Sequence, residues 1–169
     1  MIDYRDARPA DGPELAAMAA RCFTDTFGTL YRASDLKAFL DQAFGVDGLP
    51  SQLDDPAYQV RLALEDGKII GFAKLGPVDF PGDWGADTRE LHQLYVLGPW
   101  QGVGVSRVLM DWCIGQARGG GHAELVLSVY TENWRAQRFY EKYGFVDVGP
   151  YEFMVGEHVD QDRIWKLAL

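Results

Sequence analysis

Between Tyr95 and Arg107 a β-type run meets three glycines, Gly98, Gly102 and Gly104, and passes directly into an apolar helical period. Val105, Val108, Leu109, Trp112 and Cys113 recur at the spacing of one helix face. A helix therefore begins near Gly104 and runs to about Ala117, where Gly119-Gly120-Gly121 ends it. A strand that turns through glycine into a helix lets the backbone approach an anion while the first helical N–H groups point at it. Phosphate can be held there without lysine or arginine. The two common glycine fingerprints fail: GxGxxG taken from Gly102 and Gly104 meets Arg107, and GxxxxGK[ST] does not occur. What remains, Gln101-x-x-Gly104-x-Ser106, reads by itself first as a plain glycine turn.

The rest of the chain supplies the layers. Ile2 and Tyr4 alternate with charged residues as a short first strand, and Asp11-Gly12-Pro13-Glu14 opens a helix to Phe23. Residues 24–31 read as a loop, and Ser34 as the cap of a second helix carrying Leu36, Phe39, Leu40 and Phe44. Tyr58 to Leu64 and Ile69 to Leu75 form a hairpin through Asp66-Gly67. After a turn-rich connection, Arg89 to Leu97 is a strand. Its two-residue period puts Glu90, His92, Leu94 and Val96 on one face and Leu91, Gln93 and Tyr95 on the other. Ala123 to Tyr130 follows as a strand. Asn133 caps a helix whose Ala136, Phe139, Tyr140 and Tyr143 make one stripe, and Gly144 stops it. Phe145 to Val148, Tyr151 to Val155 and Arg163 to Leu169 are further strands. The order β-α-α-β-β-β-α-β-α-β-β predicts an α/β (α+β) fold, a mixed sheet with helices packed on it, in one domain spanning residues 1–169.

Composition narrows the partners. Sixteen Lys and Arg stand against 25 Asp and Glu, a formal charge of −9, which gives nucleic-acid binding no general electrostatic support and favours cationic small molecules. No run of about 18 uncharged apolar residues occurs, so no membrane span is expected. Cys22 and Cys113, both in helical patterns, offer no disulfide framework, and a reducing cytoplasmic setting is expected. His92, His122 and His158 lack metal-site spacing, so no metal is expected.

The second informative segment is Asn133-Trp134-Arg135-Ala136-Gln137-Arg138-Phe139-Tyr140-Glu141-Lys142-Tyr143-Gly144-Phe145. It lies about 30 residues past the glycine turn, the length of a strand-helix-strand unit, so a phenol at Tyr140 can face whatever the turn holds. Strand, Q-x-x-G-x-S turn, helix, strand and then N-x-x-A-x-x-F-Y-x-x-x-G-F resembles the GNAT superfamily of acyl-CoA-dependent N-acyltransferases. Both motifs occur in order, with Ser106 where that family usually has Gly or Ala. More loosely, Thr26-Phe27-Gly28, Tyr31, Asp35-Leu36, Phe153-x-x-Gly156, Gln161-Asp162 and Lys166-Leu167 resemble bacterial spermidine/spermine-type acetyltransferases.

The resemblance implies a mostly antiparallel mixed sheet flanked by helices, with acetyl-CoA as co-substrate. It implies that Leu94, Tyr95 and Val96 hydrogen-bond the thioester and pantetheine arm through their backbone. Gln101, Gly102, Val103, Gly104, Val105 and Ser106 would then hold the pyrophosphate, and Asn133 would contact the cofactor. Tyr140 is implied as the general acid for the departing thiolate. Lys142 reads as a solvated charge late in a helix or as a partner of a CoA phosphate. Glu90 matches a carboxylate base of some members, and His92, on the same strand, suits proton shuttling; each reads equally as a structural group. Phe27 and Tyr31, with Phe80 and Trp84, are candidate walls of an acceptor pocket.

The expected activity is transfer of an acetyl group to a primary amine of polyamine type, by direct attack in a ternary complex. The rival readings are acetylation of a protein amino terminus or lysine, and a non-catalytic acyl-CoA sensor. Beyond a small amine, a second copy of the chain is a candidate partner.

Overall fold

A computed structural model describes residues 1–169. Its elements are β1 (Ile2–Asp6), α1 (Gly12–Phe27), α2 (Ala33–Phe44), β2 (Gln59–Glu65), β3 (Lys68–Gly76), β4 (Thr88–Val96), α3 (Val105–Gly119), β5 (Glu124–Tyr130), α4 (Trp134–Tyr143), β6 (Val146–Val155) and β7 (His158–Ala168). The seven strands form one sheet in the order β1-β2-β3-β4-β5-β7-β6. Only β4 and β5 run parallel; every other neighbouring pair is antiparallel. The sheet is thus mixed and mostly antiparallel, as expected. No helix is long and apolar enough to cross a membrane.

Apolar stripes place a core on each face of the sheet. Val105, Leu109, Met110 and Cys113 of α3 pack with Ala73, Leu75, Leu125 and Leu127, and the stripe of α4 closes against them. Leu15, Met18, Ala19 and Phe23 of α1 pack on the other face with Leu62, Leu64 and Phe72. Asn133 caps α4, its Oδ1 accepting the Ala136 N–H at 3.2 Å, and Gly144 ends the helix at φ +93°.

Several expectations change at element ends. Residues 24–31 are not a loop: α1 continues to Phe27 and passes into a one-turn 3-10 helix over Gly28–Leu30. Thr26 returns its hydroxyl to the Cys22 carbonyl at 2.8 Å, satisfying its side chain inside the helix. Ser34 lies inside α2 rather than capping it; Arg32 is the flanking residue, without a side-chain cap. The two strands expected around residues 145–155 are one, β6, which absorbs Gly149 and Pro150 at a register shift. β7 begins at His158, five residues before Arg163, and this earlier start carries Asp160 and Asp162 into the sheet.

Candidate active site

The parallel pairing of β4 and β5 covers only Thr88↔Glu124, Arg89↔Leu125 and Glu90↔Val126. Beyond Glu90 the strands part, leaving the β4 edge from Leu91 to Val96 without a strand neighbour on that side. The divergence opens a cleft of about 620 Å³ between them. A β-bulge starts the divergence: Lys74 pairs Gln93 and Leu75 pairs Leu91, so His92 is the extra residue.

The bulge corrects the expected faces of β4. Leu91, Leu94 and Val96 pack into one core, whereas Tyr95 packs into the opposite one. An inserted residue reverses the alternation, which a strict two-residue period cannot register. Glu90 and His92 nevertheless stay together, with His92 Nδ1 3.4 Å from Glu90 Oε1. Gly76 makes room for this pair, because a Cβ there would meet the Tyr58 ring at 2.5 Å and His92 Nε2 at 2.8 Å.

His92 Nε2 is 2.8 Å from the Pro77 carbonyl, so this nitrogen carries the proton and Nδ1 presents its lone pair toward Glu90. Burial, aided by Lys74, pushes the imidazole down to about 4, so His92 is neutral at physiological pH. Burial pushes Glu90 up to about 7, opposed by the Asp79 N–H that donates to its Oε2 at 2.7 Å. His92 borders the cleft; Glu90, 5% exposed, sits behind it. With Asp79 they form a group whose ligand atoms lie within 4.8 Å of one another, a proximity that the histidine spacing in sequence did not reveal.

At the other end of the cleft the glycine turn has the anticipated geometry. Gly102 at φ +82° and Gly104 at φ +98° both adopt left-handed conformations, with no heavy atom within 4 Å of an added Cβ. The first backbone bond into α3 runs from the Val108 N–H to the Gly104 carbonyl at 3.2 Å. The N–H groups of Val105, Ser106 and Arg107 are left free at the helix start. Gln101, Gly102, Gly104 and Ser106 border the cleft. Val103, 64% exposed, and Val105, 1% exposed in the core, do not border the cleft.

Arg107, Arg135, Arg138 and Lys142 all reach the cleft, a cationic cluster in a chain of net charge −9. Of these, the sequence reading singled out Lys142 alone; the arginines lie inside the two motifs and could have been found by asking which exposed residues flank the turn. Gln101 ties the turn together, donating to the Val96 carbonyl at 2.7 Å and accepting from the Arg135 guanidinium.

Leu94, Tyr95, Val96, Asn133 and Tyr140 also border the cleft. Tyr140 lies between Phe139 and Phe145, each ring centroid 5.6 Å away, and burial raises its phenol further into the protonated state. Its hydroxyl has no protein hydrogen-bond partner. Phe27 and Tyr31 wall the end of the cleft nearest β7, where the Tyr31 hydroxyl donates to Asp160.

The cleft thus lies between parting strands, with free helical N–H groups at one end and a half-buried phenol bordering it. Residues 14–145 match the acetyltransferase (GNAT) family model, and the chain belongs to that family. An uncharacterized N-acetyltransferase of Mycobacterium tuberculosis is 34% identical over 154 residues, which cover 91% of this chain and 95% of that protein. The aminoalkylphosphonate N-acetyltransferase of Salmonella typhimurium is 32% identical over 110 residues, 65% of this chain and 71% of its own length. The crystal structure of PaiA N-acetyltransferase from Thermoplasma acidophilum, in complex with coenzyme A, superposes with a TM-score of 0.81 at 18% identity, covering 100% of this chain and 99% of that one. The chain is a GNAT acetyltransferase.

Proposed function

We propose that the enzyme transfers an acetyl group from acetyl-CoA to the primary amine of a small cationic acceptor of polyamine type, by direct attack with both substrates bound. The observation that carries the reading is the cleft itself, cationic with free N–H groups at the α3 end and lined by aromatics and a carboxylate at the β7 end. The residues present suit CoA. Two left-handed glycines with open space above them admit a pyrophosphate, and the unpartnered β4 edge offers backbone groups to a pantetheine arm. Coenzyme A bound to the Thermoplasma protein supports the cofactor end, and the aminoalkylphosphonate of the Salmonella enzyme's name supports a small amine as the acceptor.

Acetyl-CoA supplies an activated acyl group. The protein's residues then position, protonate and deprotonate. Tyr140, protonated and unpartnered, gives its proton to the leaving sulfur. Cys22, which borders the cleft, is pushed up to about 11 chiefly by burial and stays a thiol at neutral pH, which favours direct attack over an acyl-cysteine route. Glu90, whose Oε2 is held by the Asp79 N–H, takes the amine proton through water past the neutral His92 that borders the cleft.

This assignment fixes a sign. A base works deprotonated, so kcat/KM should rise with pH through a midpoint near 7 as Glu90 loses its proton. Glu90→Gln should remove that inflection and leave only the acceptor amine's own titration. A variant with an unchanged pH profile would take Glu90 out of the reaction.

The reading as a whole is tested by acetyl-CoA consumption across polyamines, amino acids, aminoglycosides and peptides. Turnover with small cationic amines is expected, weakening as salt screens the −9 charge. Turnover with a peptide amino terminus alone would replace the acceptor class, and CoA binding without turnover on any amine would make the chain a sensor.

A further inference from the structure

Residues 77–79, in the connection before β4, make three contacts at one spot. The Pro77 carbonyl lies 2.8 Å from His92 Nε2, and the Asp79 N–H donates to Glu90 Oε2 at 2.7 Å. The Asp79 side chain brings Oδ2 to 3.7 Å from His92 Nδ1, and Glu90 Oε1 stands 3.4 Å from the same nitrogen. One ligand atom from each of the three residues thus lies within 4.8 Å of the other two.

All three atoms are acceptors. A carbonyl only accepts, so Nε2 carries the imidazole proton and Nδ1 keeps its lone pair. Glu90 receives its one hydrogen bond at Oε2, and none reaches the Asp79 carboxylate. No lysine or arginine pairs with either acid; Lys74, buried on the neighbouring strand, donates its Nζ to Gln52 at 2.6 Å instead. The side chains of His92 and Glu90 are 9% and 7% exposed, so water does little to separate these groups.

Buried acceptors that face one another without a donor are unfavourable, and one cation satisfies three of them at once. The donor set selects its kind. An imidazole nitrogen with two carboxylate oxygens suits Zn²⁺, whereas Mg²⁺ and Ca²⁺ favour shells of six or more oxygens. Ligands about 2.0–2.2 Å from a tetrahedral zinc stand about 3.3–3.6 Å apart. The separations of 3.4 and 3.7 Å are already close to that edge, and the Asp79 side chain, 67% exposed, can close the remainder and admit the ion from solvent. Orientation is built in as well. A ligating imidazole commonly donates its other N–H to a carbonyl, as His92 does to Pro77, and the Asp79 N–H fixes Glu90 in the same way. Tyr58 flanks the imidazole, ring centroids 5.8 Å apart.

We propose that His92 Nδ1, Glu90 and Asp79 form a binding site for a zinc ion, with the fourth position left to water. Zinc held there occupies Glu90, which can no longer accept the amine proton, so the metal is a reversible inhibitor of acetyl transfer and takes no part in it. That consequence rests on Glu90 as the base; the site does not. Histidine spacing along the chain could not announce it, because two of the ligands are carboxylates and Asp79 lies 11 residues before Glu90.

The test is titration calorimetry of Zn²⁺ into the enzyme without coenzyme A, whose thiol competes for the metal, alongside initial rates at fixed free Zn²⁺. One zinc per chain is expected. Asp79→Asn leaves the backbone N–H on Glu90, and His92→Gln keeps a donor for the Pro77 carbonyl, so both variants should fold. Each should weaken zinc binding at least about tenfold, the lower end of what losing even an outer-shell partner costs. Without zinc, Asp79→Asn should keep wild-type turnover; with zinc, it should resist inhibition by the same factor. Wild-type zinc affinity in both variants would place the ion elsewhere and overturn the site. The two readings fail separately. Binding that both variants weaken, with turnover untouched by zinc, upholds the site and takes Glu90 out of the reaction; no zinc binding, with the pH inflection of Glu90 intact, does the reverse.

Discussion

Gly104→Asp is expected to lower acetyl-CoA affinity by roughly 10²–10³-fold while leaving the protein folded. Gly104 is the residue before α3 and sits at φ +98°, a region where aspartate is among the better-tolerated side chains, at a cost of about 1–2 kcal/mol. Nothing in the protein lies within 4 Å of an added Cβ, so the side chain clashes with no neighbour and projects into open space. There a carboxylate stands where the free N–H groups of Val105, Ser106 and Arg107 would receive a phosphate. Two like charges about 4 Å apart near a surface repel by about 4 kcal/mol, near the upper end of the 2.7–4.1 kcal/mol that about 10²–10³-fold represents. Gly104→Ala is the control, since it carries the backbone strain without the charge and should lose far less. Titration calorimetry with coenzyme A separates them; an aspartate variant that binds like wild type would remove the turn from the cofactor site.

Tyr140→Phe is expected to lower kcat by roughly 10²–10⁴-fold with little change in affinity for acetyl-CoA. The substitution deletes one oxygen and keeps the ring, so the packing against Phe139 and Phe145 survives. Because that hydroxyl has no protein partner, its removal strands no buried donor or acceptor, and thermal stability should barely move. Burial that raises the phenol's proton affinity keeps it loaded across the working pH range, as a group that must donate once per turnover requires. Steady-state kinetics with a fixed amine distinguish the outcomes. Unchanged turnover would mean that the thiolate leaves directly to solvent.

These residues were legible because their signals are local. A glycine forced left-handed before a helix, an asparagine cap and a glycine stop are each set by conformational preferences within a few residues. The motifs around Gln101–Ser106 and Asn133–Phe145 carried both the left-handed turn before α3 and the helix that holds Tyr140. Element order followed from apolar periods of two or about four residues. What failed locally failed for equally physical reasons. Thr24 and Thr26 are indifferent helix formers, yet packing of Phe23 and Phe27 beneath the sheet carries α1 through them.

Tertiary structure decided the rest of the cleft. The extra residue at His92 exists only relative to the register with β3, and it reverses the inward face of β4. Arg107 and Arg138 belong to different helices and converge only because α3 and α4 pack on one face. Asp160 and Asp162 sit in a stretch with no apolar alternation to announce a strand. β7 enters the sheet between β5 and β6, and that long-range insertion brings Asp160 to the Tyr31 hydroxyl and sets Asp162 opposite Tyr130, both far off in sequence. Backbone conformation is set by neighbours along the chain, so the sequence by itself determined the fold family and the glycine turn before α3. Desolvation and charge depend on neighbours in space, so only the folded sheet decided the proton affinity of Glu90 and the bare oxygen of Asp162.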